Sequence, residues 1–233
     1  MRPVDRWAHV VVLVLAVAVA GCEDEGPPVV PLSRLVAQPV APQADPFVPR
    51  RTRAGFLRIS TKQVHDHPAA CAELLARLDR ATDSELRAAL VEALPRTGGA
   101  WVGEVLARLP DEADPAVRKA MVATMARAEP ARAVVGIGRG IRDDDVEVRI
   151  EAAVVAGSLP LEHLQSSLVL ADLIVALEDE HGPVRAAAAR SLGIVRAVEA
   201  ADALAAMRND SEEPVRRQAD RALARLDEAA GLR

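Results

Sequence analysis

One pattern of apolar and polar positions recurs five times along the chain. Counted from an arginine in each copy (Arg87, Arg118, Arg149, Arg185 and Arg216), position −1 holds Leu86, Val117, Val148, Val184 and Val215. Position +3 holds Leu90, Met121, Ala152, Ala188 and Ala219, and position +7 holds Leu94, Met125, Ala156, Leu192 and Leu223. Position +10 holds Thr97, Ala128, Leu159, Val195 and Leu226. Thr97 is the single polar residue of the twenty, and steps of four, four and three trace one face of an α-helix. Start signals agree: Asp114-Pro115 is an N-cap followed by proline, and Pro183 and Pro214 fall in the same first turn. Between these helices lie shorter apolar segments, at 71–78, 101–109, 131–141, 161–177 and 198–207. Each unit therefore reads as two antiparallel helices, and there are five units.

The arginines stand 31, 31, 36 and 31 residues apart, a period that predicts a stacked repeat. The expected fold is all-α, an α-solenoid of about five helix pairs. Two irregularities carry expectations of their own. Gly136, Gly138 and Gly140 lie in the first helix of the third unit, and each costs about 1 kcal/mol against Ala, which predicts a short or bent helix. The five extra residues of the fourth unit predict a longer first helix over 161–177.

An acid stands six residues before four of the arginines: Glu112, Asp143, Asp179 and Asp210, ahead of Arg118, Arg149, Arg185 and Arg216. The first unit has Ala81 there instead. These eight residues are expected to form a structural ladder that hydrogen-bonds within a unit and to its neighbour, setting register. As exposed pairs they would contribute on the order of 0–1 kcal/mol each.

The N-terminus follows a different rule. Arg2 and Arg6 precede an unbroken apolar run from Val10 to Ala20, too short for the roughly 20 residues that span a bilayer. It ends in Val19-Ala20-Gly21-Cys22, which resembles the lipobox of bacterial lipoproteins. The resemblance implies cleavage before Cys22, a diacylglycerol on its thiol and an acylated amine, with stable anchoring because each buried CH₂ contributes about 0.8 kcal/mol. Residues 1–21 are then a signal peptide. Glu23 in place of Asp leans towards an outer-membrane protein facing the periplasm. Residues 22–60 hold the lipidated cysteine and a Pro-rich tether with Pro27, Pro28, Pro31, Pro39, Pro42, Pro46 and Pro49. A disordered coil of that kind spans roughly 30 Å. Residues 61–233 form the solenoid, and a short capping helix is expected within 54–67 to cover the first repeat.

The turn acid, the Val-Arg pair and the Leu-Gly further down the helix, seen most fully from Asp179 to Gly193, resemble the HEAT-like repeat of the phycobilisome-lyase type. That resemblance covers about residues 68–228 and implies fold much more than function. A repeat scaffold with a membrane anchor and no recognisable chemistry is expected instead to be a non-enzymatic module whose extended surface binds a protein or peptide partner.

Composition narrows the alternatives. The net charge of −5 leaves no electrostatic footprint for nucleic acid. Residues 54–233 carry 23 basic against 29 acidic side chains. With two Trp, two Phe and no Tyr, the chain has few aromatic anchors. No nucleophile stands beside a base, and Gly-x-Gly-x-Gly at 136–140 lacks the strand and the Lys-Ser/Thr of a phosphate loop. No catalytic, cofactor or metal residues are assigned. The rival readings are a metal-binding or other enzyme using His65 and His67 beside Cys71, and a purely structural envelope spacer.

Overall fold

In the computed structural model, the described residues are 50–51, 57–58, 69–97, 101–229 and 231. They belong to the unit Ala44–Arg233. The signal peptide, Cys22, most of the tether, His65 and His67 lie outside the described residues.

Eleven α-helices run through the described residues: α1 (Ala70–Arg80), α2 (Ser84–Ala93), α3 (Trp101–Arg108), α4 (Pro115–Thr124), α5 (Pro130–Ile141), α6 (Val146–Ala156), α7 (Leu161–Gln165), α8 (Val169–Val175), α9 (Gly182–Ile194), α10 (Ala201–Ala206) and α11 (Glu213–Ala229). They pair into five units. The second helices, α2, α4, α6, α9 and α11, stack on one another as a continuous B row. The first helices form an A row with looser mutual packing. This is an α-solenoid.

The predicted stripe is the seam between the rows. Fifteen of its twenty residues are buried and none is exposed, so it carries the core. The five half-buried ones are Leu86, Thr97, Ala128, Val195 and Leu223, in the end units or at the last position of the stripe. Thr97 satisfies its hydroxyl by donating to the carbonyl of Leu94 at 2.7 Å. The B helices begin alike. Asp83, Asp114 and Asp145 cap α2, α4 and α6 by accepting from the backbone N–H groups of Leu86, Ala116 and Glu147. In the last two units His181 and Glu212 stand at this position.

Two expectations are corrected. The glycine-bearing helix α5 is not short: it runs twelve residues from Pro130 to Ile141. Its glycines are contact points. A Cβ at Gly140 would lie 2.8 Å from the Cβ of Ala152 and 2.9 Å from Val122, so glycine lets α5 sit on the B row. The fourth unit has no single long first helix. Ser166 and Ser167 break it into α7 and α8 by donating their hydroxyls to the carbonyls of His163 and Leu164, a local alternative to the helical ladder. The capping helix expected within 54–67 falls, except for 57–58, outside the described residues; at 57–58 the chain is extended, and β2 (Leu57–Arg58) pairs antiparallel with β1 (Arg50–Arg51) and lies beside α2.

Candidate functional site

Each of the four acids preceding an arginine by six residues lies where an A helix gives way to a B helix. Glu112, Asp179 and Asp210 follow single 3₁₀ turns, with ψ of 114°, 144° and 145°. That extended backbone turns each carboxylate back onto the N–H two residues on. Asp143 accepts from Asp145 at 2.9 Å, Asp179 from His181 at 2.9 Å and Asp210 from Glu212 at 2.8 Å. The carboxylate then meets the arginine of the preceding unit. Arg118 Nε and Nη2 donate to Asp143 at 2.8 Å each. Arg149 donates to Asp179 at 2.8 and 3.2 Å, and Arg185 to Asp210 at 2.8 and 2.9 Å. The third guanidinium nitrogen, Nη1, closes the arginine's own turn. That of Arg149 donates to the carbonyls of Asp143 and Asp144 at 2.9 and 3.0 Å.

The arginine fork thus ties two carbonyls of its own unit to one carboxylate of the next. The pairs are largely buried, not exposed. Side-chain exposure is 11% and 12% for Arg149 and Asp179, and 12% and 7% for Arg185 and Asp210. Sequence position alone could not show this, because the neighbouring turn closes over the pair only when the units stack.

The electrostatics follow from the geometry. Burial by itself raises the pKa of Asp143 and Asp179, but the facing Arg118 and Arg149 and the backbone N–H donors outweigh it and hold both carboxyls below the usual range. Arg185 does the same for Asp210 against a smaller burial effect. The arginines are correspondingly raised by their carboxylate partners.

Arg87 belongs to this series, donating to Glu112 at 3.0 and 2.5 Å. The sequence pattern left it out because Ala81 occupies the acid position of its own unit. The partner lies one unit on, and the spacing of 25 residues from Arg87 to Glu112, Arg118 to Asp143 and Arg185 to Asp210 was the available signal. Arg216 ends the series. Its Nη1 donates to the carbonyls of Asp210 and Ser211 at 2.7 and 2.9 Å, with no carboxylate partner among the described residues.

Clefts open between successive turns, the one between the second and third units measuring about 440 Å³ and lined in part by Glu112, Arg118 and Asp143. Those three charges are engaged with ladder partners. His163 and His181 contribute to no group of three or more potential metal ligands among the described residues.

The comparisons agree with this architecture. The HEAT repeats family pattern matches residues 139–224. That stretch runs from the end of α5 into α11, and the same stacking extends beyond it through the first two units. No curated protein matches the chain. A crystal structure of an engineered protein is similar with a TM-score of 0.51 and 21% identity, covering 72% of this chain and 85% of that one. A designed armadillo repeat protein gives 0.51 and 19%, covering 72% and 87%. A second, in complex with the peptide (KR)4, gives 0.53 and 17% over the same shares. At these identities the likeness shows the fold: a solenoid of the armadillo and HEAT kind.

Proposed function

We propose that this protein is a lipid-anchored, non-enzymatic scaffold of the bacterial cell envelope whose helical stack holds a protein or peptide partner. The observation that carries the reading is the continuous B row. It gives five adjacent units one extended face, while the arginine–carboxylate pairs of the turns are engaged in holding the stack. That a designed armadillo repeat protein of similar fold has been solved with a peptide bound supports the reading by analogy. The Val-Arg and Leu-Gly spacing supports placing the repeats with the phycobilisome-lyase type. Within the scaffold, Glu112, Arg118, Asp143, Arg149, Asp179, Arg185, Asp210 and Arg216 act as register pins.

The anchor rests on Val19-Ala20-Gly21-Cys22, and Glu23 supports an outer-membrane protein facing the periplasm. Cys22→Ser in the full chain, followed by metabolic labelling with an alkyne fatty acid and membrane fractionation, tests it. The expected result is loss of label and release from the membrane; full membrane retention by the variant would refute the anchor. Crosslinking of the tagged full chain in intact cells tests the scaffold. A discrete, reproducible adduct is expected, and the absence of any adduct across growth conditions counts against partner binding.

A further inference from the structure

We propose that the A row over units three to five is a self-association face, on which a second copy of this chain packs against α8 about a two-fold axis running along that helix. This goes beyond the scaffold reading and leaves the B row open to the partner.

Apolar surface is left uncovered at α8. Leu168, just before its first turn, is 71% exposed, and Val175, at its end, is 68% exposed. They are the most exposed large apolar side chains among the described residues. With the exposed Ala171 between them they form one stripe at i, i+3 and i+7. The helix carries a single charge, Asp172, which accepts from Arg142 at 2.6 Å. A helix that is apolar all round belongs in an interior, yet one side of this one faces solvent.

The flanking units say what covers it. Counted back from the repeat arginine, the outward stripe of the A row falls at −17, −14, −10 and −7. Unit four has Leu168, Ala171, Val175 and Glu178 there. Unit three has Arg132, Val135, Arg139 and Arg142, and unit five has Glu199, Asp202, Ala206 and Asn209. All twelve are exposed. The apolar stripe therefore has a basic helix on one side and an acidic one on the other. It lies between them, since a Cβ at Gly138 would sit 3.5 Å from Val169 and Gln165 donates to Glu199. The nearby charges off these positions keep the pattern. Arg208 is paired with Asp220, and Glu178 lines a cleft with Arg142. Glu129 and Arg196, each three residues ahead of Arg132 and Glu199, repeat the asymmetry with the signs exchanged. Arg127 and Glu162 lie further out, beyond the N-terminal end of the stripe.

A face of this kind is its own complement. Rotation about the line of α8 lays unit three of one copy over unit five of the other and keeps each residue's level along the helix. Arg132 then meets Glu199 of the second copy, Glu129 meets Arg196, and the apolar stripe meets itself, each charge contact occurring twice. A two-fold axis running across the row would instead set Arg132 against Arg132. An anionic lipid surface or an acidic peptide would be drawn to unit three and repelled by Glu199 and Asp202. Ten residues at 1.5 Å each, across three helices about 8–10 Å apart, give a footprint of roughly 400 Å² per copy, the size of weak, reversible contacts.

Sedimentation equilibrium of the purified full chain over about 1–200 μM, a window suited to weak interfaces, tests the face. A reversible monomer–dimer equilibrium is expected. Leu168→Ser/Val175→Ser should weaken it at least tenfold and leave the circular dichroism spectrum unchanged, because both side chains face solvent. Arg132→Glu and Glu199→Arg should each weaken it at least fivefold. Mixed in equal amounts, these two variants should associate as tightly as the unmodified chain to within a factor of two, because opposite charges then meet at both contacts. Arg221→Glu, on the B row, should change the affinity by less than a factor of two. Ala171→Cys lies on the axis and should crosslink to itself through a short bis-maleimide, above the background of the unmodified chain with its Cys22 and Cys71. A monomer at every concentration would overturn the proposal, as would a mixture that associates no better than its components. Dimers untouched by Leu168→Ser/Val175→Ser would place the contact elsewhere, and dimers without the Ala171→Cys crosslink would exclude the axis along α8. Each of these failures leaves the scaffold reading standing, because that reading is tested by the cellular adduct.

Discussion

Arg149→Met cuts the ladder at its middle, between units three and four, where the chain carries its five-residue insertion. The substitution keeps an unbranched apolar stem in place of the arginine's own. It removes two charge-assisted bonds to Asp179, at 2.8 and 3.2 Å, and two bonds to the carbonyls of Asp143 and Asp144. Asp179 is left 12% exposed, keeping its 2.9 Å bond from the His181 N–H but no guanidinium of Arg149. Breaking one partner of a buried pair costs about 3–5 kcal/mol. The remaining exposure and the surviving backbone donor place this case at the lower end, about 3 kcal/mol. For a repeat domain of this size that lowers Tm by roughly 6–12 °C.

The comparison is Arg208→Met, whose partner Asp220 faces solvent, with side-chain exposures of 57% and 60%. It should cost about 0–1 kcal/mol. Both are measured by urea unfolding followed by circular dichroism. A cycle with Asp179→Asn isolates the pair, and a coupling of at least about 1 kcal/mol is expected for groups in direct contact. If Arg149→Met costs less than about 0.5 kcal/mol, or no more than Arg208→Met, the ladder does not hold the units in register.

Leu192→Ala, at a fully buried stripe position, should cost about 2–5 kcal/mol by chemical denaturation. Gly193→Ala and Gly103→Ala should have opposite signs. The new Cβ at 193 would meet the Ala222 backbone at 2.5 Å, costing about 1–3 kcal/mol and exceeding the helix-propensity gain, whereas nothing lies within 4 Å at 103, so thermal melts should show stabilisation by up to about 1 kcal/mol. Acid titration should weaken the ladder with a definite sign. The folded pKa values of Asp143, Asp179 and Asp210 lie below the unfolded value of about 3.9. Their stabilisation is therefore fully present above that value and lost as pH falls through the folded values. The stability gap between the wild-type chain and Asp179→Asn should accordingly be flat from pH 6 to 8 and shrink below about pH 4.

The repeat itself was legible in the chain, because a helix buries a stripe of fixed period and five copies of one stripe leave few ways to satisfy it. The positions of Val184, Ala188 and Leu192 already specify a buried face, and Asp114-Pro115 already specifies a helix start. What the linear pattern could not hold was anything set by the distance between helices. Glycine at 136 and 140 reads as weakness in an isolated helix, yet against Met125, Val122 and Ala152 it is the shape that lets α5 approach. The same limit applied to the ladder. Residue spacing identified its acids and arginines, but Arg87 joins it through Glu112 of the following unit, which only stacking brings within 3.0 Å. Stacking also encloses the pairs, changing them from surface charges into buried ones. Sequence determined the unit, since local periodicity and turn chemistry act within one helix pair. The tertiary structure decided how units meet, since close approach, burial and the partner of each charge depend on residues 25 or 30 positions away.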